Sequence, residues 1–381
     1  YIMATKFCNP DLDSGDNDGS TEANAFQDLS TAIGAISGGD LLYVKKTSSR
    51  LDDGALSMAS GINGSATALT IVEGYGTTPG DNIQFQYAEK IDIDAKNFVL
   101  RNFDIEMSSG DVEGVLFIAN NIDGVSVHNC RVYNTNTGNF PAILASQSAV
   151  FTNCEIIADG NITTTGRGAL EIDSGDSAVV HGCSIRGSKG IGVLANAVGI
   201  AITNNIFYAA PNRDMKKGIE ADLQISAGEV RCFLAQGNSM YNVLNMGIDF
   251  RELPDFDEKS VVVVANNLIW GDGGAEGIHC NDSATTVGPI IINNAIGNMG
   301  GASENVASFA ASVAEYGTID LTADPFVDGA NGDFRLNGTA GGGAACRSAA
   351  NPTTFPGESF TNKLDIGAVG HTGLVERISV S

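Results

Sequence analysis

VSVHNCRVYN, residues 125–134, sets His128, Asn129 and Cys130 side by side. These are the residue types of a thiol nucleophile, its base and an orienting amide, so the stretch reads either as a reactive site or as scaffold. Its relatives along the chain decide. AVFTNCEIIA (149–158) and AVVHGCSIRG (178–187) repeat it. With the cysteine replaced, the pattern continues as FVLRNFDIEM (98–107), IAITNNIFYA (200–209), FLAQGNSMYN (233–242), VVVANNLIWG (262–271) and PIIINNAIGN (289–298). The central Asn or Gly falls at 102, 129, 153, 182, 204, 237, 266 and 293, and ALTIVEGYG (68–76) is expected to supply an earlier rung around Gly74. Intervals of 22 to 33 residues fit single turns of a parallel β-helix.

Aligned on that centre, the columns separate by chemistry. Two residues earlier stand Leu100, Val127, Phe151, Val180, Ile202, Ala235, Val264 and Ile291. One residue later stand Phe103, Cys130, Cys154 and Cys183, then Asn205, Asn238, Asn267 and Asn294. Strand side chains alternate faces, so these columns form the interior, and the central Asn or Gly marks a bend that tolerates left-handed backbone angles. His128 occupies the outward column of Arg101, Thr152 and Thr203 while Cys130 points inward, so the two form no nucleophile–base pair. The asparagine column is expected to stack as an internal amide ladder.

Composition narrows the function classes. The 381 residues are 43% hydrophobic with a net charge of −24, and no apolar run is long enough to span a membrane. That charge opposes nucleic acid and anionic membranes. One Trp and eight Tyr are sparse for a sugar-stacking groove. Seven cysteines, with no zinc-type CxxC spacing, suit buried reduced thiols rather than a disulfide framework. Residues 1–25 are polar and Asp-rich, unlike a signal peptide, and Tyr1-Ile2 before Met3 reads as the trace of an upstream segment to which the chain is fused or from which it is trimmed, the competing reading being a cloning remnant.

The segment 18–46 places Phe26, Leu29, Ile33 and Ile36 at helical spacing, with Gly38-Gly39 as a stop and Leu42-Tyr43-Val44 as the first strand. A helix there would cap the open edge of a solenoid. With the ladder and the closing DPFVD (324–328), GDFRL (332–336) and DIGA (365–368), the chain resembles the right-handed parallel β-helix, or pectate-lyase-like, family. The expected fold is all-β, a single-stranded right-handed helix of about ten coils. The expected organisation is an N-terminal loop and capping helix over 1–39, the helix over 40–300, and a C-terminal coil or cap segment over 301–381.

Within that family, the MATKF start and cytosol-compatible cysteines resemble bacteriophage virion proteins, tailspikes and spikes that decorate or cement capsids. The resemblance implies a homotrimer on the virion, assembled in the host cytoplasm, with phage capsid or tail proteins and a host surface polysaccharide as partners. The competing class is a polysaccharide-degrading enzyme, tail-attached or secreted, of the glycoside hydrolase or lyase type.

A second strand in each turn, usually led by Gly, reads VLFIA (115–119), ALEID (169–173), IGVLA (191–195), IEADL (219–223), IDFRE (248–252) and IHCND (278–282). Its outward positions align Glu171, Gly192, Glu220, Asp249 and His279, followed two residues on by Asp173, Leu194, Asp222, Arg251 and Asn281. Glu171, Glu220 and Asp249 are the catalytic candidates for glycan hydrolysis, with Asp173, Asp222, Arg251 and His279 as glycan-binding candidates. Carboxylates on adjacent or alternate rungs would lie about 5 or 10 Å apart, which brackets the retaining and inverting geometries. Crowding would raise one pKa, as a general acid requires. The competing reading is a solvated acidic face, or ion pairs with Arg251, Lys216 and Lys217.

A lyase mechanism needs a base beside an acidic calcium cluster, and only PNRDMKK (211–217), with Arg213 and Lys216, offers one. NPDLDSGDNDGS (9–20) lacks the EF-hand register, so it reads as a turn-rich loop that binds calcium weakly at most, and no cofactor or structural metal is expected. NIT (161–163) matches a glycosylation sequon that matters only in a secretory pathway.

Overall fold

The computed structural model describes residues 4–52, 54–107, 114–120, 122–136, 140–159, 168–173, 177–193, 198–209, 215–223, 232–252, 261–280, 289–300, 306–307, 314–350 and 365–368. They fall into two compact units, Tyr1–Asn161 with Ala169–Ala178, and Ile162–Gly168 with Val179–Ser381. Each unit is a parallel β-solenoid. The coil count differs slightly from the ten expected. Among the described residues no helix is long and apolar enough to cross a membrane.

In unit 1 the strands Thr5–Cys8, Leu41–Lys45, Thr70–Tyr75, Phe98–Arg101, Val125–His128 and Ala149–Thr152 stack in parallel. Val72, Leu100, Val127 and Phe151 share one register column and are fully buried. The first strand is therefore Thr5–Cys8, one earlier than Leu42-Tyr43-Val44 suggested. The capping helix is also shorter than its spacing implied. Asp28 caps Leu29–Ala35 by accepting the Thr31 N–H at 2.5 Å, and Phe26 lies before the cap, in a bridge to Cys8.

The eight central residues of the repeat carry φ between 49° and 65°. Such a left-handed residue turns the strand once, and Asn and Gly bear it at the lowest steric cost. Two strand segments thus flank each bend, as Val125–His128 and Arg131–Asn134 flank Asn129. The third segment of unit 1 stacks as Leu56–Met58, Ile91–Ile93, Leu116–Ile118, Ile143–Ala145 and Leu170–Ile172. Gly74 departs from the rule. Glu73 pairs with Arg101, so Gly74 is level with Asn102, yet it lies inside Thr70–Tyr75. A Cβ there would stand 2.1 Å from the Asn102 carbonyl oxygen, so close approach, and not a bend, demands glycine.

Both core columns form as expected. Cys130 is 1% exposed and its thiol lies 3.3 Å from the His128 carbonyl, while His128 turns outward to bond the Thr152 hydroxyl on the next rung. Burial, and then the neighbouring Cys154 thiol, pushes the Cys130 thiol well above its ordinary range, so it is a packed core group. None of the seven cysteines is in a disulfide.

In unit 2 the fully buried Asn205, Asn238, Asn267 and Asn294 make the amide ladder. The side-chain amides of Asn205, Asn238 and Asn267 each donate to the next asparagine's oxygen at 2.9–3.0 Å. Each also donates to a carbonyl of the preceding rung, from Val180, Ile202, Ala235 and Val264. Each oxygen also accepts the main-chain N–H of the preceding rung at 2.8–3.1 Å.

The C-terminal motifs become an antiparallel pair, Phe326–Asp328 with Asp333–Leu336. With Leu321, Cys346, Ala350 and Ile366 they cover Leu268 and Ala295, and Tyr208, Tyr241 and Trp270 pack alongside. Leu268 and Tyr241 alternate with the inward Ile269 and Met240, so this segment lies against the outer flank of its own coils. Gly367 N–H donates to the Asn266 carbonyl at 3.1 Å and Ala368 N–H to the Ser239 hydroxyl at 2.9 Å.

Candidate functional site

Four rungs of unit 2 share a short pattern: KGIG (189–192), KGIE (217–220), MGID (246–249) and EGIH (276–279). Register confirms the alignment, pairing Gly192 with Glu220, Glu220 with Asp249 and Asp249 with His279. The flanking Ile219, Ile248 and Ile278 are fully buried inside, which turns the acidic column outward as the sequence implied.

The column is nonetheless not a solvated face. Glu220, Asp249 and His279 are 5%, 3% and 7% exposed. In a straight strand, residues three apart point to opposite faces about 10 Å apart. Here the Lys217 ammonium contacts the Glu220 carboxylate, and His279 Nε2 lies 3.3 Å from Glu276 Oε2. The chain therefore bends between Lys217 and Glu220 and between Glu276 and His279, at their Gly-Ile steps. Glycine is required there because the inside of the corner is full: a Cβ on Gly218 would meet Met240 Sδ at 2.5 Å, and one on Gly247 the Gly277 carbonyl oxygen at 2.6 Å. The corner brings the residue before each glycine onto the column two residues after it.

The result is a chain of alternating charge. Lys189 Nζ holds Glu220 Oε1 at 2.8 Å. Lys217 bridges Glu220 and Asp249, reaching Asp249 Oδ2 at 2.6 Å. Asp249 Oδ1 faces His279 Nδ1 at 2.8 Å, and Glu276 closes the far side of the ring. Burial alone would raise the carboxyl pKa of Glu220, but Lys189 and Lys217 outweigh it and the net shift is downward. Asp249 shifts down for the same reason, burial being overcome by His279 and Lys217. His279 shifts up, through its bond to Asp249 first and Glu276 after burial.

The remaining candidates scatter. Glu171 belongs to unit 1, where it pairs in register with Leu144 and is buried. Asp173, half-buried in the same unit, donates its N–H to the Ala145 carbonyl at 2.9 Å. Asp222 was expected level with Arg251, but a bulge after Ala221 sets it opposite Glu252. Arg251 is thereby displaced outward, 57% exposed, with its guanidinium 3.9 Å from Glu220. Lys217 pairs with Glu220 and Asp249, and Lys189 supplies the second ammonium on Glu220. The residue just before Gly-Ile was the overlooked signal. Leu194, Asn281, Arg213 and the NIT sequon lie outside the described residues.

In the N-terminal loop the acidic oxygens serve the chain's own backbone, Asp11 accepting from Ser48 N–H at 2.7 Å and Asp18 from Ser20 N–H at 2.8 Å. Among the described residues no group of three or more His, Cys, Asp and Glu is placed to hold a metal ion.

The charge chain predicts a pH dependence of stability. Glu220 and Asp249, depressed on folding, contribute above their unfolded pKa of about 4 and lose that contribution as pH falls through the folded values. His279, raised on folding, contributes fully below about 6.5 and loses it as pH rises through its folded value. His128 and His181, both lowered by burial, act in the opposite sense, so His279 must be isolated by mutation. Between about pH 6 and 9 the urea midpoint of wild type should lose ground relative to His279→Gln. Parallel curves for the two proteins would refute the assignment.

No protein-family model matches the chain, and no curated protein matches it. Among solved structures it is similar to the crystal structure of pectate lyase Pel9A, with a TM-score of 0.50 and 14% identity over 97% of each chain. At that identity the likeness concerns the fold, and the chain is a right-handed parallel β-helix of the pectate-lyase-like type.

Proposed function

We propose that the chain is a structural or receptor-binding spike of a bacteriophage virion, a tailspike-like homotrimer that decorates or stabilises the capsid or binds host surface glycan. The observation that supports this over a polysaccharide-degrading enzyme is the neutralisation of the acidic column. Glu220 and Asp249 are held by Lys189, Lys217 and His279, and both carboxyls shift downward. A glycosidase acid must shift upward to keep its proton near neutral pH. A column so paired stabilises a coil corner and is poorly suited to deliver a proton to a leaving group.

The test is to incubate the protein with host surface polysaccharide and follow new reducing ends and unsaturated-uronide absorbance. No product is expected from wild type, Glu220→Gln or Asp249→Asn. Turnover by wild type that vanishes in both folded variants would replace the spike reading with the enzyme. Imaging of the native particle should show copies on the capsid or tail, and particles without the protein would sink the virion role.

A further inference from the structure

Parallel strands buried on one face alternate apolar and polar residues, whereas strands covered on both faces read as continuous apolar runs. Four strands of unit 2 read the second way: GIAIT (199–203), CFLAQ (232–236), VVVVA (261–265) and III (290–292) contain no charged residue. Ile200, Phe233, Val262 and Ile291 point into the coil and are buried. On the outward side Val261 and Ile290 are 46% and 38% exposed, and the half-buried Leu234 and Val263 share one register column with Ile290. Val179, on the strand before them, is 36% exposed.

We infer that the chain's own C-terminal segment, residues 369–381, lies across this face. Size, position and composition select it. Five strands at about 4.8 Å spacing, with about 16 Å of strand length, make a face of roughly 380 Å². A folded partner needs about 800 Å² on each side, twice that area, whereas one extended segment needs no more than is there. Position follows from the last described residues. Gly367 and Ala368 are fastened to the Asn266 carbonyl and the Ser239 hydroxyl, beside the bends at Asn266 and Gly237 that end VVVVA and CFLAQ. The segment therefore starts at the rim of the face, and its thirteen residues reach about 43 Å when extended, against a face about 24 Å tall. Composition completes the case. VGHTGLVERISVS (369–381) supplies Val369, Leu374, Val375, Ile378 and Val380, mostly β-branched strand formers, and its Glu376 and Arg377 cancel. In a chain of net charge −24, a neutral apolar segment meets an uncharged aliphatic face without repulsion. The inference is independent of the spike reading and holds whether or not the chain sits on a virion.

Limited trypsin digestion of the full chain tests it, because Arg377 places a cleavage site inside the segment. Cleavage after Arg377 in wild type should be at least about 10-fold slower than in Leu374→Ser with Val380→Ser, a pair that alters none of the five strands. The reciprocal pair on the face, Leu234→Ser with Val263→Ser, should expose the site equally, with the fold intact by circular dichroism. A second measurement follows the face itself. Cys232 pairs in register with Val261, and the other six cysteines are buried, so maleimide reports on this one thiol. Its labelling should be about 10-fold faster in the Leu374→Ser, Val380→Ser protein than in wild type. Wild type cleaved at Arg377 as fast as the segment variant overturns the inference, as does labelling of Cys232 at equal rates in the two proteins. Protection that rises with protein concentration overturns it as well, since the face would then be covered by a second copy.

Discussion

Asn267→Ala is expected to lower the unfolding free energy by about 4 kcal/mol, read as a shift of the urea midpoint. The alanine removes the oxygen that accepts Asn238 N–H at 3.1 Å and Asn238 Nδ2 at 2.9 Å. It also removes the amide that donates to Asn294 Oδ1 and to the Ala235 carbonyl. Two buried donors are orphaned and two acceptors lose a partner, and each unsatisfied buried group costs about 1–3 kcal/mol. Asn205→Cys should cost less. It imitates the cysteine rungs, where the Cys154 thiol already lies 3.4 Å from the Val127 carbonyl, and it orphans the single N–H of Cys183. Equal, small losses at both positions would show that the ladder adds little to the stack.

Lys217→Met should cost about 3–5 kcal/mol, the range seen when one partner of a buried pair is removed. The lysine is held between Glu220 and Asp249, so its loss leaves two buried carboxylates that repel each other. That repulsion raises their pKa values in the variant. The deficit against wild type should therefore shrink as pH falls through about 4 and the carboxylates take up protons. A deficit below about 1 kcal/mol at neutral pH would mean that water already screens the corner.

Much of the architecture was legible because the repeat repeats its physics. Asn102, Asn129 and Asn153 each bear the same left-handed turn, so alignment on them assigns every flanking residue a face. The acidic column was legible too, since register follows from the same alignment and pairs Glu220 with Asp249 and His279. The partners were harder to see. Lys189 and Glu276 reach the column because the chain folds at Gly-Ile, a corner with no counterpart in strand alternation. The bulge that displaces Arg251 is equally local. The length of the capping helix turned on the Asp28 cap, which competes with the apolar spacing that begins at Phe26.

The sequence by itself determined the coil: where each turn bends, which side chains enter the core, and that Cys130 is scaffold, because period and burial are properties of neighbours along the strand. Only the tertiary structure decided what the outward residues meet. It closed the acidic column with lysines across a corner and laid the C-terminal strands on the outer flank of unit 2. Those outcomes depend on distances between residues that no single strand brings together, and a periodic pattern carries no record of them.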